Sequence, residues 1–233
     1  MFDYYLFDLD GVIVDVEEEY RRAVFDEVED RLGRSFSDDQ IRNLWHGIGE
    51  DSRDEILRSW GYDEPRDFWD VFDEVDTVER RLEYTYAYDD AYSIEEIDAK
   101  KGVVTHSPPE LAVPALEKAG LDHHFDTVVS CSYDIGFKPD PNPIQRCMSE
   151  IGAEPSSDAD TESTVMVGDS TSDVKGAWNA GITASHIDRL GHPVEADINV
   201  ESVDEIASLD AARISNSGDY QSSTTSPAFS TDL

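Results

Sequence analysis

From residue 96 onward the chain alternates between two kinds of segment, and that alternation limits the folds open to it. The short apolar runs are GVVTH (102–106), TVVS (127–130), TVMVGD (164–169), ITASHI (182–187) and ADINV (196–200). Helical stretches such as PELAVPALEKAG, PNPIQRCMSEIG and SDVKGAWNAG separate them. Strands alternating with helices imply a parallel, doubly wound sheet with right-handed crossovers. At the start of the chain, YYLFDLD (4–10) is almost continuously apolar up to Asp8, as in a strand buried on both faces. Ligands of such sheets bind beyond the carboxyl ends of the strands. Asp8, Thr105 and Asp169 each stand at a strand end, so three distant positions are expected to meet on one edge.

Between these strand regions the pattern changes. In EEEYRRAVFDEVEDRL, Tyr20, Val24, Val28 and Leu32 recur at helical spacing, and SRDEILRSWGY, RDFWDVFDEV and TVERRLEYTYAY continue as helices with no convincing strand. The expected organisation is an α/β, Rossmann-like core from residues 1–14 and 96–213, a helical cap at 15–95, and a Ser/Thr-rich flexible tail at 214–233. A length of 233 residues suits one domain carrying such an insert.

The 53 Asp and Glu outnumber the 18 Lys and Arg, leaving a formal charge of −35. That balance argues against nucleic acid, whose phosphates need clustered cations, and against anionic membrane surfaces. With 10% aromatic residues and clear periodicity, the charge reads as a solvated surface, similar to proteins of salt-loving archaea, where cations screen the self-repulsion. There is no long apolar run and no secretory signal pattern, so the expectation is a cytoplasmic protein. Cys131 and Cys147 have no metal-ligand spacing and read as buried hydrophobes.

In so acidic a chain an isolated Asp-x-Asp carries little information. Here FDLDGVIVD is followed in order by VVTHS, KPDP and VGDSTSD, each at a strand end or in the loop beyond one. The four segments resemble the ordered motifs of the haloacid dehalogenase superfamily, specifically its Asp-x-Asp phosphatase and phosphomutase branch with a helical cap. The likeness runs from residue 1 to about residue 212.

The resemblance implies a magnesium-dependent phosphatase acting on a small phosphorylated metabolite. Asp8 would be the nucleophile that forms an aspartyl-phosphate, and Asp10 the general acid and base, its pKa raised by burial and neighbouring carboxylates. Mg2+ would be held by Asp8, Asp169 and the backbone carbonyl of Asp10. Thr105, His106 and Lys138 would bind phosphate, and Asp173 would orient Lys138 or a metal-bound water. Ser107, Pro108 and Glu110 read as the N-cap, first position and third position of a helix whose exposed amides face the anion.

Some readings stay open. His106 stands where many relatives have Asn, and either touches substrate or fills space. Arg53, in the Gly-hinged loop WHGIGEDSR, either binds a second anionic group or pairs with Glu50 or Asp54. Trp60, Trp69, Tyr84, Tyr86 and Tyr88 read as cap packing. A phosphomutase of the β-phosphoglucomutase kind is the alternative activity, although Tyr20 occupies the place where such relatives carry His. A catalytically idle binding module is the third reading.

Overall fold

In the computed structural model, which describes residues 2–49 and 51–209, six parallel strands form one sheet. They are β1 (Tyr4–Phe7), β4 (Lys100–Thr105), β5 (Thr127–Ser130), β6 (Thr164–Gly168), β7 (Thr183–Ile187) and β8 (Ile198–Val200), ordered β5-β4-β1-β6-β7-β8. Alternation along each strand sends side chains to opposite faces. Tyr5, Phe7, Val103, Val165 and Val167 join one apolar cluster, while Leu6, Val104, Met166 and Ala184 join another on the far side.

Helix α6 (Pro109–Ala119) covers the first face with Ala112 and Leu116. Helices α7 (Asn142–Ile151) and α9 (Thr171–Ala180) cover the second, with Ile144, Cys147, Met148, Val174 and Ala177. Both cysteines are buried, as expected. A short helix α8 (Asp158–Glu162) leads into β6. Since β4 and β6 flank β1 on opposite sides, the order reverses at β1, and the carboxyl end of β1 opens onto the resulting crevice.

The inserted segment holds five helices: α1 (Glu18–Leu32), α2 (Asp38–His46), α3 (Arg53–Ser59), α4 (Arg66–Val75) and α5 (Val78–Tyr84). They close on their own apolar cluster of Val24, Phe25, Val28, Leu44, Leu57 and Phe68, with Trp60 and Trp69 at its margin. Gly33 and Gly47, at positive φ, end α1 and α2.

Two expectations need correction here. Residues 14–16 and 85–87 are strands: β2 (Val14–Val16) and β3 (Thr85–Ala87) pair antiparallel as a ribbon joining cap to core, because β-branched and aromatic residues at both crossings favour pairing over helix. The return to the core precedes residue 95, since Ala91, Ile94 and Ile97 pack in the sheet's own cluster. Tyr84 ends α5 and stacks on the buried cap residue Tyr20 with ring centroids 4.9 Å apart, in keeping with cap packing, whereas Tyr86 and Tyr88 lie in or beside the ribbon. Tyr84 and Tyr86 are exposed, and Tyr88 donates to Asp15 Oδ2 at 2.8 Å. The sequence-predicted tail at 214–233 lies outside the described residues, as does Glu50.

Candidate active site

Asp8 leaves β1 with one carboxylate oxygen accepting from the Leu9 amide at 2.8 Å and lying 2.8 Å from Lys138 Nζ. Lys138 comes from the loop after β5 and is 4% exposed. Its ammonium also lies 2.7 Å from Asp173 Oδ1 and donates to Val104 O at 2.7 Å, so three acceptors hold it beneath the strand ends. Asp173 sits in the first turn of α9. Its other oxygen receives the Ser170 amide at 3.1 Å and hydroxyl at 2.6 Å, so it caps its helix and anchors the lysine together.

Close approach makes two glycines necessary. Gly11 has φ +81°, and a Cβ there would lie 2.0 Å from Asp169 Oδ2. A Cβ on Gly168 would lie 2.2 Å from that of Asp173. The chain thereby packs oxygens of Asp8, Asp169 and Asp173 within 4.8 Å of one another.

Such crowding has electrostatic consequences. Burial, then Asp173, pushes the Asp8 carboxyl up to about 7 despite Lys138. Burial, Asp173 and Asp8 hold Asp169 well above the usual carboxylate range. Burial also opposes ionisation of Asp173, but Lys138 and Ser170 outweigh it and hold that group low. Lys138 is buried too, yet Asp173 and Asp8 hold it above its ordinary value. Three crowded carboxylates, Asp173 buried and Asp8 and Asp169 partly so, stand against one ammonium, and with no described residue donating to the Asp169 side chain they leave an excess of hard oxygen ligands that a divalent cation fits. Asp8 and Asp169 are the pair with oxygens to spare.

Asp10 departs from expectation. Arg81, on cap helix α5, lies 2.8 Å from its Oδ1, and the Ser107 hydroxyl donates to its Oδ2 at 2.6 Å. Burial pulls toward the neutral acid, but Arg81 and Ser107 prevail and hold the carboxyl below its usual range, not above it. Ser107 therefore does not cap α6. The cap position passes to Pro108, and Pro109 becomes the first helical residue. The Ser107 amide is given to Thr105 Oγ1 at 2.9 Å. Arg81 also lies 3.0 Å from Asp76, which accepts from Tyr20 at 2.5 Å, so Tyr20 braces this arginine from the cap side.

The cap touches the core edge at two further points. Thr171 Oγ1 donates to Gly49 O at 2.7 Å, and Arg53 Nη1 lies 3.2 Å from His106 Nδ1. Arg53 pairs with no described carboxylate; Asp54 instead lies 3.9 Å from Arg58. Burial, then Lys138 and Arg53, pushes the His106 imidazole well down, so the ring is neutral.

Asp8, Lys138, Asp169 and Asp173 thus stand together, with Asp10, Thr105 and His106 beside them at the same edge. Sequence reasoning missed Arg81 and read Ser107 as a helix cap facing the anion rather than as a partner of Asp10. It also missed His186, whose Nε2 lies 3.1 Å from Asp169 O, and Arg189, which donates to Gly11 O at 3.0 Å and Val12 O at 2.7 Å. No local signal marks them, since each acts across a long stretch of chain.

Comparison with known proteins agrees with this fold. Residues 5–187 match the family model described as haloacid dehalogenase-like hydrolase. The pyrophosphatase PpaX of Halalkalibacterium halodurans is 30% identical over 121 residues, a match spanning about half of each chain (52%). The pyrophosphatase PpaX of Bacillus cereus strain AH820 is 29% identical over 193 residues, covering 76% of this chain and 78% of that protein. Among solved structures, a protein assigned as a phosphoglycolate phosphatase from Lactobacillus plantarum superposes with a TM-score of 0.75 at 16% identity, covering 90% of this chain and 99% of that one. A hydrolase from Bacillus subtilis, YfnB, described as bound to magnesium, gives 0.63 at 20% identity, over 90% and 99%. At those identities the two structures share the fold. No helix among the described residues is long and apolar enough to cross a membrane.

Proposed function

The chain belongs to the haloacid dehalogenase-like hydrolase family, and from that premise we propose that it is a phosphatase that removes a phosphoryl group from a small metabolite through an aspartyl-phosphate on Asp8. The observation that carries this is the clamp on Lys138. An ammonium 2.8 Å from Asp8 and 2.7 Å from Asp173 aims the nucleophile and leaves positive charge beside the incoming phosphoryl oxygens. Thr105, at the end of the adjacent strand β4, completes the phosphate side of the site.

Asp8 and Asp169, with the Asp10 carbonyl, are the residues to hold magnesium, and the magnesium-bound structural relative supports that choice of ion. When bound, the ion supplies charge neutralisation between carboxylate and phosphate. Asp8 attacks phosphorus in line and the leaving group departs; water then attacks the aspartyl-phosphate and Asp8 is regenerated. Asp10, ionised by Arg81 and Ser107, is ready as the base that takes the water proton. To act first as an acid it must gain a proton after Arg81 withdraws. A weakly basic leaving group such as phosphate needs no such proton, in keeping with the pyrophosphatase relatives.

A mutase would need its aspartyl-phosphate protected from water, and Tyr20 is committed to Asp76 rather than to the site. Hydrolysis is therefore the stronger reading. The test is phosphate release from a panel of small phosphate esters and pyrophosphate, with and without magnesium. Release that needs the metal and is lost in Asp8→Asn supports a phosphatase; silence of the native enzyme on every compound rejects it.

A further inference from the structure

Arg53 opens α3 and turns its guanidinium toward the core. Its Nε donates to Leu44 O and its Nη2 to Trp45 O, both at 2.9 Å, which fixes the fork against the end of α2. Arg21, Arg22, Arg58 and Arg81 of the cap each lie within ion-pair distance of a carboxylate. Arg53, like Arg34 and Arg42, has none among the described residues, but unlike Arg34, which bonds Trp60 O and covers the Tyr62 ring within the cap, it reaches across to the core. Its Nη1 reaches the core edge, 3.2 Å from His106 Nδ1. A cation with no carboxylate partner among the described residues, held at the edge of an acidic site, is placed for an anion that arrives from outside.

His106 supplies an independent observation. A guanidinium only donates, so His106 Nδ1 accepts from Arg53 and the neutral ring carries its proton on Nε2. That Nε2 is buried and has no hydrogen-bond partner among the described residues. Phe137 packs edge-on against the ring with centroids 5.8 Å apart, holding its direction. An oriented, buried N–H without an acceptor is costly in the free protein, and a ligand oxygen removes that cost.

We propose that Arg53 and His106 form one subsite for a second anionic group, so that the preferred substrates are small phosphate compounds whose leaving group carries a carboxylate or a further phosphate. This rests on the phosphatase reading and narrows it. Arg53 supplies charge and two-point geometry, His106 a single directed donor. Because Arg53 belongs to the cap and His106 to the core, the subsite is complete only with the cap docked, as here.

The experiment measures kcat and KM with magnesium for pyrophosphate, phosphoglycolate, ethyl phosphate as the neutral counterpart, and p-nitrophenyl phosphate as a general probe. The native enzyme should favour the first two over ethyl phosphate by about tenfold or more in kcat/KM. Arg53→Gln should bring the ratio of phosphoglycolate to ethyl phosphate close to one and lower that of pyrophosphate to what its better leaving group alone gives, chiefly by raising KM for the anionic pair, and Arg53→Lys should restore part of both. His106→Phe, which keeps the contact with Phe137, should lower the ratio by a smaller factor. The relative rates on pyrophosphate and phosphoglycolate tell a phosphate from a carboxylate occupant. If p-nitrophenyl phosphate is hydrolysed but ethyl phosphate serves as well as the anionic pair, or Arg53→Gln lowers all in proportion, the subsite is wrong and the phosphatase stands. If none of the four is hydrolysed, both fall.

Discussion

The two surfaces that meet at the site carry opposite charge. On the core edge, Asp8, Asp169 and Asp173 cluster, with one ammonium, Lys138, between the first and the last. From the cap come Arg53 and Arg81, and the first has no acidic partner among the described residues. A carboxylate-rich floor needs a cation before it can receive phosphate, whereas an arginine-bearing roof recognises the rest of an anionic substrate. The difference assigns chemistry to the core and selection to the cap, and it can be challenged from either side.

The largest effect is expected on the floor. Lys138→Met removes the cation between Asp8 and Asp173, so kcat should fall by about 10²–10³. Stability should drop by about 3–5 kcal/mol, because two carboxylates, Asp173 buried and Asp8 partly so, lose their partner. Steady-state kinetics with thermal melts of the same samples check both. A variant as active as native would remove the clamp from the mechanism.

Arg81 tests whether floor and roof are separable. It belongs to the cap but ends on Asp10, 2.8 Å away. Arg81→Met should lower kcat/KM by about 10–100-fold through loss of Asp10 placement. A loss matching that of Lys138→Met would erase the division of labour.

A smaller effect appears in the pH dependence of stability without metal. The Asp8 carboxyl is pushed up to about 7 in the folded protein, against about 3.9 for an unperturbed aspartate. The folded state therefore holds a proton that the unfolded state has released, and this contribution, full below about 4, is lost as pH rises through 7. Asp8→Asn lacks the penalty, so its melting temperature should increasingly exceed that of the native protein from pH 5 to 8. Saturating magnesium should narrow the gap. Parallel melting curves across that range would show that Asp8 is not strained by its neighbours.

The smallest and least local effect concerns the −35 surface. Screening it should raise the melting temperature by roughly a few degrees between dilute buffer and molar KCl. A flat response would mean that the surface charges are already balanced locally, as in the Arg22–Glu29 and Arg31–Glu27 pairs.

The floor was legible because its determinants are local. A strand of alternating faces delivers Asp8 and Asp169 at its end whatever the rest of the chain does, and Ser170 with Asp173 forms its cap within four residues. The roof was not. Arg81 meets Asp10, Ser107 leaves its helix to bind the same group, and Arg189 reaches back to Gly11, all through contacts that no spacing encodes. For the same reason Asp10 was expected to be partly neutral: burial and neighbouring carboxylates could be read from the motif, but the arginine that overrides them could not. The ribbon of β2 and β3 was hidden too, since three-residue strands flanked by long helices carry too few residues to show a period of two.

The central claim is that Asp8 becomes phosphorylated, and one measurement addresses it directly. Enzyme with magnesium is mixed with a phosphate compound that it hydrolyses, quenched in acid on the millisecond scale, and mapped by peptide mass spectrometry. The account predicts a phosphoryl group on the peptide containing Asp8, appearing before phosphate release reaches steady state and absent from Asp8→Asn. Phosphate release by an Asp8→Asn enzyme, or a phosphoryl group on any other residue, would contradict it.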